Sequence, residues 1–595
     1  MSASALSTAT AISTFSFYVA DSESDRSLFP VITSQIRKGT AWLKRQQNDD
    51  GGWGDTKRNY SNISTTMLVV AAIHATGRVE EFDSQLEAAE KYIESGGGIK
   101  GLRERYGRDK TFAVPILANC AMAGIVPWKE VAALPFEAAC VPQRFYNLMQ
   151  LPVVSYAIPA LVAIGQAKFI LDPPWDPFRK LIRRACINRS LRVLEKMQPA
   201  SGGYLEAVPL TSFVTMALIK SHRANHPVVQ NGIRFLVESF RVEGEAEGSW
   251  PIDTNLATWN TTLSVNALAN SPEQFRRELT DDATHWNQCA QWILECQNRT
   301  VHPFTGAAPG GWGWSDLSGA VPDADDTPGA LLALKNLVDL GEFDDSLIRR
   351  IDLAVNQGIV WLIKLQNRDK GWPTFCRGWG KLPFDRSGTD ITAHVIRSLL
   401  AWKTNEKPPM VNQRRIERAI GGGFEYLARH QQKDGSWLPL WFGNQDQPDD
   451  INPCYGTAKV LMAYRDAKSF DTNEAQFGLR WIRNNQNSDG GWGGGSSVSW
   501  SDEKLGCSSV EETALCTEVL LDDIDPQSQL AAARGIEWLI AAISSESVFT
   551  PSPIGFYFAK LWYFEKAYPL TFASSTLSRA YCLHRQSEVS ANDQN

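Results

Sequence analysis

Three carboxylates stand within four residues in the middle of this chain, in the run Asp323-Ala324-Asp325-Asp326-Thr327. A mostly apolar stretch follows, so the run predicts the start of a helix, where an aspartate can cap free amides and anions are stabilised. Capping explains one or two of the three. Because crowded anions repel, the pKa of the cluster is expected to rise, and one carboxyl can keep a proton for acid catalysis near neutral pH.

A histidine later in the chain is the candidate partner for such an acid. His394 lies in the segment 389–394, at the start of the next helical run. A cation there would hydrogen-bond the charged carboxylates and make the retained proton more acidic. Taken alone, a histidine among apolar helix residues is more often a satisfied core residue. Its pairing with the aspartates favours His394 as their charged neighbour.

A repeat organises the chain around these residues. Each copy has an aromatic–aliphatic pair, a glutamine and then a tryptophan, and a helical segment beginning with threonine follows it. The clearest copies carry Gln47 and Trp53, Gln366 and Trp372, Gln431 and Trp437, and Gln486 and Trp492. Helix pairs repeated about every 65 residues predict an all-α fold of two α/α toroids (barrels), with inner helices around an axis and outer helices surrounding them.

The repeat also suggests where the two units begin and end. We expect residues 1–36 to form an N-terminal arm packing on the second toroid, residues 37–254 to form the first α/α barrel, and residues 255–595 to form the second barrel, which carries the acid motif. Each repeat glutamine is expected to satisfy free amides at the start of the next outer helix, with the tryptophan stacked beside it. The repeated tryptophans are therefore structural.

Composition narrows the classes of partner that the protein could bind. The net charge of −7 and the pI of about 5.8 make nucleic acid a poor candidate. The 10 cysteines are scattered singly, which is typical of reduced thiols in a cytoplasmic protein. We expect neither metal nor cofactor. The N-terminus lacks the basic residues of a signal peptide, and no apolar run is long enough to span a membrane.

Together, the acid motif and the repeats resemble a known family. Residues 323–327 match the D-x-D-D-T signature of squalene–hopene cyclases, and the glutamine–tryptophan repeats match across nearly the whole chain. The resemblance implies a class II cyclase, which protonates squalene or a similar linear isoprenoid to make a polycyclic triterpene such as hopene. It implies that Asp325 donates the proton, that Asp323, Asp326 and His394 support it, and that Tyr455 orders the water that reprotonates it.

Cyclisation moves positive charge along a folded polyene, so its cavity needs to exclude water and to offer π faces. Each desolvated contact with a ring is worth about 2 kcal/mol. By match to the family, the aromatic residues facing the cation are Trp259, Trp314, Phe375, Trp441 and Phe556. Core packing is the alternative for each of them.

Several positions depart from the family pattern. Trp314 stands where the family has Phe, Asn260 where it has Asp, and Tyr156 where it has an entry-end Trp; Val208-Pro209 stands where it has the Gln-Pro pair of the quench end. The run 556–564 and the loops 376–386 and 442–453 differ in length. A changed quench site could favour proton loss over capture of water, or another ring count.

A polyene insoluble in water has to be collected from a bilayer. Residues 168–180 mix apolar side chains with Trp175, Phe178 and basic residues, which predicts a monotopic patch on the membrane surface. The alternative is a linker between repeats followed by a solvated basic helix. Whether the protein forms a homodimer stays open.

Other readings of the sequence differ in chemistry. A class II diterpene or other polyprenyl cyclase would share the aspartates but needs basic residues around a diphosphate, and no such cluster is evident. A zinc-dependent protein prenyltransferase subunit would need metal ligands, and an α/α-barrel glycosidase would need separated carboxylates. A non-catalytic toroid that only binds would have no use for the acid.

Overall fold

The computed structural model describes residues 1–107, 110–141, 158–279, 283–303, 305–341, 343–375, 384–403, 413–556 and 560–592. Tyr156 and most of the loop 376–386 lie outside these ranges, and the side chain of Phe556 is not described. The fold is all-α, as the repeats predict. Within the described residues, no helix is both long and apolar enough to cross a membrane.

Helices dominate the described chain. They are α1 (Ala5–Ala20), α2 (Phe29–Arg45), α3 (Ile63–Thr76), α4 (Asp83–Ser95), α5 (Gly98–Tyr106), α6 (Lys110–Met122), α7 (Ile158–Leu171), α8 (Pro177–Met197), α9 (Val208–Ile219), α10 (Pro227–Glu238), α11 (Ala257–Ala269), α12 (Glu273–Leu279), α13 (Ala283–Glu295), α14 (Asp326–Leu340), α15 (Asp345–Leu365), α16 (Thr389–Ala401), α17 (Gln413–His430), α18 (Pro453–Asp466), α19 (Asn473–Asn484), α20 (Ser496–Ser501), α21 (Val510–Leu520), α22 (Pro526–Ser544) and α23 (Ala567–Asn592).

Strands are short and pair only in twos among the described residues. β1 (Ala3–Ser4) pairs antiparallel with β2 (Trp250–Pro251), β3 (Trp372–Pro373) with β4 (Ser387–Gly388), and β5 (Ile554–Phe556) with β6 (Leu561–Tyr563). These ladders join loops at the ends of the helices and build no sheet core.

The inner helices form two closed rings. In the second ring each inner helix contacts the next, and α23 returns to contact α11; its members are α11, α14, α16, α18, α21 and α23. The first ring closes in the same way through α1, α3, α6, α7 and α9. Two hydrophobic cores follow this division, one within residues 5–250 with Val321 and Phe375, and one within residues 252–573.

The N-terminal segment differs from the arm expected from the sequence. Helix α1 is an inner helix of the first ring, packed against α2, α3 and α9, and only the first residues reach the second unit, where Ser2 exchanges hydrogen bonds with Phe564. Its serine, threonine and alanine side chains resemble a solvated linker in sequence. They are buried here, because small side chains let inner helices approach closely.

One repeat shows how the recurring residues act. The Trp437 amide donates to the hydroxyl of Thr457 at 2.9 Å, and its indole donates to the carbonyl of Leu427 at 2.8 Å. Gln431 Nε2 donates to the carbonyls of Gly435 and Glu474, both at 2.9 Å. The glutamine thus binds carbonyl oxygens, whereas the sequence suggested free amides as its partners. Its planar NH₂ group reaches two carbonyls at once and ties neighbouring outer helices together.

The same arrangement identifies α1 as a repeat helix. The Trp250 amide donates to Thr8 at 3.0 Å, as the Trp53 amide does to Thr66 and the Trp372 amide to Thr392. Thr8 therefore occupies the repeat threonine position. The last tryptophan of the first unit closes the ring on the first helix of the chain.

Candidate active site

The acid motif lies at the N-terminus of α14. Asp323 Oδ1 accepts from the amides of Asp325 and Asp326 at 2.8 and 2.7 Å, so Asp323 is the residue that caps the helix. Asp325 makes no side-chain capping bond. Asp325 instead lines a cavity.

Burial keeps protons on this cluster. It raises the pKa of Asp323 to about 7, helped by the charge of Asp325, and it raises the pKa of Asp326 well above the ordinary value. Asp326 Oδ1 is buried and has no hydrogen-bond partner in the described part of the chain. Crowded carboxyls in a desolvated site hold at least one proton near neutral pH, so the cluster can store the proton that an acid catalyst needs.

His394, on α16, lies beside Asp325. Its Nδ1 is 3.0 Å from Asp325 Oδ1, and the two side chains are 4% and 19% exposed. Burial lowers the pKa of His394 to about 4, so the imidazole is neutral near pH 7. The sequence suggested a cation here. A neutral imidazole that donates Nδ1–H to Asp325 still stabilises the carboxylate left after proton transfer.

Two further charged groups near Asp325 were not singled out from the sequence. Asp390, one turn before His394, accepts from the Leu440 amide at 2.9 Å, and burial with the charge of Asp325 raises its pKa to about 7. Lys459 is buried on α18, with its ammonium 5.7 Å from the ring centre of Tyr455. Burial lowers the pKa of Lys459, while Asp325 and Asp390 oppose that shift. A lysine inside an apolar helix pattern was the available signal.

Tyr455 lies near the start of α18 and is 2% exposed. Its ring is 4.4 Å from that of Phe442, centre to centre, and its pKa is raised far above the ordinary value by burial and then by the charge of Asp325. Phe442 lines the cavity and Tyr455 does not. Tyr455 therefore lies behind the cavity wall, near enough for the charge of Asp325 to raise its pKa.

A cavity of about 840 Å³ lies against the acid motif. Its volume falls within the range of small-molecule sites. Asp323, Asp325 and Asp326 reach it together with four of the predicted aromatic residues, Trp259, Trp314, Phe375 and Trp441, and with Pro209. Val208 is buried behind this wall.

The aromatic wall is held by hydrogen bonds from its polar edges. Trp259 Nε1 donates to the hydroxyl of Tyr568 at 2.9 Å, and this hydroxyl lies 3.0 Å from that of Tyr563. Trp441 Nε1 donates to Thr374 Oγ1 at 2.9 Å. Because these edges are occupied, the ring faces are fixed in place. Trp259 also meets the ring of His394 edge-on at 6.2 Å between centres.

Tyr563, Tyr568 and Phe384 line the cavity and were missed as individual residues. Tyr563 belongs to the aromatic run 556–564. Because this run differs in length from that of the family, its single residues could not be matched to family positions. Phe384 stacks on Phe375 with 4.7 Å between ring centres. Among the described lining residues, Arg386 is the single basic side chain, so the wall has no cluster of cations for a diphosphate.

Comparison with known proteins decides the family. The squalene-hopene cyclase C-terminal domain matches residues 256–580, and the squalene-hopene cyclase N-terminal domain matches residues 27–164. The chain belongs to the squalene–hopene cyclase family. The first match alone covers more than half of the chain and includes the acid motif, α16 and α18.

Individual members of the squalene–hopene cyclase family share only low sequence identity with this chain. Enfumafungin synthase of Hormonema carpetanum is 26% identical over 88% of this chain and 42% of its own length. A squalene–hopene cyclase of Alicyclobacillus acidocaldarius is 26% identical over 72% of this chain and 71% of its own. The chain thus spans about two fifths of the first of these relatives.

A solved structure gives the fold. ent-Copalyl diphosphate synthase from Streptomyces platensis superposes with a TM-score of 0.52 at 16% identity, covering 97% of this chain and 95% of that one. The likeness extends over both rings. At this identity it speaks for the α/α toroid architecture of the squalene–hopene cyclase family and for nothing finer.

Proposed function

We propose that this chain is a class II terpene cyclase that converts squalene, or a similar linear isoprenoid, to a polycyclic triterpene. The observation that carries the proposal is the Asp325–His394 pair, 3.0 Å apart, at the wall of a large aromatic cavity. An alkene is a weak base, so the acid must be held in water-excluded surroundings and its carboxylate must be stabilised by a fixed donor.

The reaction begins at Asp325. Its proton passes to the terminal carbon of the polyene, the alkene electron pair forms the new C–H bond, and the neighbouring carbon becomes cationic. Asp323 and Asp326 share the stored proton of the cluster with Asp325, and His394 stabilises the carboxylate that remains. Tyr455 orders the water that returns a proton to Asp325.

The aromatic wall guides the next steps. The faces of Trp259, Trp314, Phe375 and Trp441 stabilise the cation as each ring closes, at about 2 kcal/mol for each desolvated contact. Apolar walls also exclude water that would capture the cation early. The proposal therefore assigns these residues to binding and shaping the polyene, together with Phe556, Tyr156, Val208 and Pro209.

The test is incubation with squalene and with oxidosqualene, followed by mass spectrometry of the products. We expect cyclic products from the wild type and none from D325N, because an amide cannot donate the initiating proton. D49N is the matched control, since Asp49 is exposed and far along the chain from the acid motif. Unchanged cyclisation by D325N, or turnover of polyprenyl diphosphates alone, would refute the proposal.

We also propose that the chain binds a membrane surface as a monotopic protein. Trp175, Phe178 and Leu181 are 95%, 69% and 68% exposed at the junction of α7 and α8. Arg179 and Arg184 are exposed beside them. Exposed apolar side chains rimmed by cations are typical of interfacial segments. Ala160 and Leu161, at the other end of α7, line the cavity, so this helix connects the patch with the substrate site.

Flotation on liposomes containing anionic lipid tests the patch. We expect the wild type to float with the vesicles and the double variant W175E/F178E to stay in the soluble fraction, because anions replace the two exposed rings that would insert into the bilayer. F477E/I524E, at exposed apolar positions on another part of the surface, controls for general loss of hydrophobicity. Equal flotation of wild type and W175E/F178E would count against membrane contact through this patch.

A further inference from the structure

A second pocket lies in the first unit and shares no lining residue with the aromatic cavity. It has a volume of about 450 Å³ and is open to solvent. Helix α8, the loop between α9 and α10, and the loop after α1 meet there. The residues that line it are Glu23, Asn188, Leu191, Arg192, His222, Arg223, Asn225 and His226. Two guanidiniums and two imidazoles against one carboxylate are typical of a site for an anion.

Backbone hydrogen bonds hold the loop between α9 and α10 in place. The Arg223 amide donates to the Leu218 carbonyl at 3.2 Å, and the His226 amide donates to the Arg223 carbonyl at 3.0 Å. His226 Nδ1 accepts from the Val228 amide at 3.3 Å and caps α10. Burial lowers the pKa of His226, so its ring is neutral near pH 7 and carries its proton on Nε2. This Nε2–H has no partner among the described residues and remains a donor.

The two arginines of the pocket have no carboxylate partner in the described part of the chain. Arg223 is half-buried, and its side chain makes one hydrogen bond, from Nη1 to the Ser221 carbonyl at 3.4 Å. Arg192 makes one as well, from Nε to the Asn188 carbonyl at 3.4 Å within α8. Each guanidinium has five N–H donors in a planar fork that matches the oxygens of a phosphate. Most of these donors are unused.

The carboxylates near the pocket leave its charge positive. Glu23 is exposed and forms no ion pair with a described residue. Glu195 is also exposed and does not line the pocket, although its charge opposes the lowering of the pKa of His226. With both histidines counted as neutral, two arginines and one glutamate give the lining residues a net charge of +1. The whole chain has a net charge of −7, so the positive charge is local.

Helix α8 connects this pocket with the exposed apolar patch. Phe178, Leu181, Arg189, Arg192 and Lys196 recur at helical spacing along one face of α8, and all five are exposed. The face is apolar at its start and cationic towards its end, and it extends for about 21 Å from Phe178 to Arg192 at about 1.5 Å per residue. A helix lying on a bilayer with this face would insert its apolar part and hold its cations against lipid phosphates.

We propose that this pocket binds a phosphate group, carried either by a lipid headgroup or by a free phosphate ion. Arg192 and Arg223 donate N–H groups to the phosphate oxygens, and His226 Nε2–H is a third donor. The binding is non-covalent and does not depend on which isoprenoid the aromatic cavity accepts. The lipid headgroup as the source rests on the proposed membrane patch, whereas the free ion does not.

The first experiment is a ³¹P NMR titration of the full chain with inorganic phosphate at constant ionic strength. We expect saturable line broadening with the wild type. R192Q and R223Q should each weaken binding about 10-fold, because each removes a charged hydrogen-bond donor. E23Q should bind phosphate more tightly, because a repelling charge is lost, and general damage to the fold would not produce this gain. R349Q, at an exposed arginine of α15, is the matched control and should bind as the wild type does.

The second experiment identifies the source of the phosphate. Flotation is compared on phosphatidylcholine vesicles that contain phosphatidic acid or, at equal surface charge, phosphatidylglycerol. If the ligand is a lipid headgroup, the wild type should prefer phosphatidic acid, and R192Q and R223Q should lose this preference. Equal flotation on the two kinds of vesicle, together with saturable binding of inorganic phosphate, assigns the pocket to the free ion.

Two results would overturn the inference, namely absence of saturable phosphate binding by the wild type, or wild-type affinity in both R192Q and R223Q. W175E/F178E should keep the wild-type affinity for inorganic phosphate, so failure of the membrane patch is distinguished from failure of the pocket. If R223Q does not fold, R192Q and E23Q decide the question, and wild-type affinity in both of them overturns the assignment.

Discussion

The residues around Asp325 have different roles, which are helix capping, proton storage and hydrogen bonding. Asp323 caps α14, Asp326 is buried with one oxygen unpaired, and His394 contacts Asp325 at 3.0 Å. Residue types and spacing predict all four residues, because the motif is local and the repeat places α16 beside α14. The sequence suggested a cation at His394, whereas burial, which depends on residues distant in sequence, lowers its pKa.

The hydrogen bond of His394 makes a kinetic prediction. H394Q should lower kcat for polyene cyclisation by about 10²-fold with little change in KM, because Asp325 loses the ring donor that stabilises its carboxylate. Steady-state kinetics of H394Q against H285Q, a change at an exposed histidine, measures the effect. A wild-type kcat in H394Q would show that the 3.0 Å contact does not assist the acid.

Residues brought in by tertiary packing escaped sequence reasoning. Tyr568 binds the indole of Trp259 across more than three hundred residues, and Ala207 pairs with Asp253 through an isolated β-bridge. Neither contact has a periodic signature. Both depend on how distant parts of the chain pack together, which no local pattern encodes.

At the scale of the helix pair, each repeat is a small hydrogen-bonded unit. The sequence predicted the tryptophan as structural and identified the glutamine, and it missed that the glutamine donates to two carbonyls. It also missed α1 as an inner helix, because that helix is built from serine, threonine and alanine in place of large apolar residues. Thr8, at the repeat threonine position, was the signal that could have revealed it.

The paired carbonyls lead to a stability prediction. Q431A should cost about 1–3 kcal/mol, because the carbonyls of Gly435 and Glu474 lose their shared donor. Hydrogen exchange in α17 and α19 should show this loss as faster local opening. Q432A is the matched control, since the neighbouring Gln432 is exposed. Equal exchange in the two variants would mean that water replaces the lost donor at no cost.

For the molecule as a whole, buried acids set how stability depends on pH. Burial raises the pKa of Asp323, Asp390 and Glu511 to about 7, from ordinary values near 4 in the unfolded chain. The folded state therefore binds more protons, and stability falls as pH rises from about 4 through 7. His394 contributes with the opposite sign, between about pH 4 and 6.5, because its pKa is lowered.

We therefore expect Tm to be lower at pH 8 than at pH 6. E511Q should reduce this difference, because Glu511 lies outside the cavity lining and its Oε1 acceptor for the Ser552 amide is kept. E243Q, at an exposed glutamate, should leave the difference as in the wild type. Calorimetric scans at both pH values provide the comparison. A pH response identical in E511Q and wild type would argue against a raised pKa at Glu511.

The closure of the two rings also bears on how the chain folds. Helix α1 meets α9, and α11 meets α23, so each ring is sealed by its first and last helices, while every other inner contact joins near neighbours in sequence. Neighbouring helix pairs can form as the chain emerges. The two contacts that seal the rings, here called seams, form only after the last helix of each ring has been made, and each has the larger entropy cost of closing a long loop. The seams are therefore the last joints to form and the first places where a partly unfolded molecule would expose its core to aggregation.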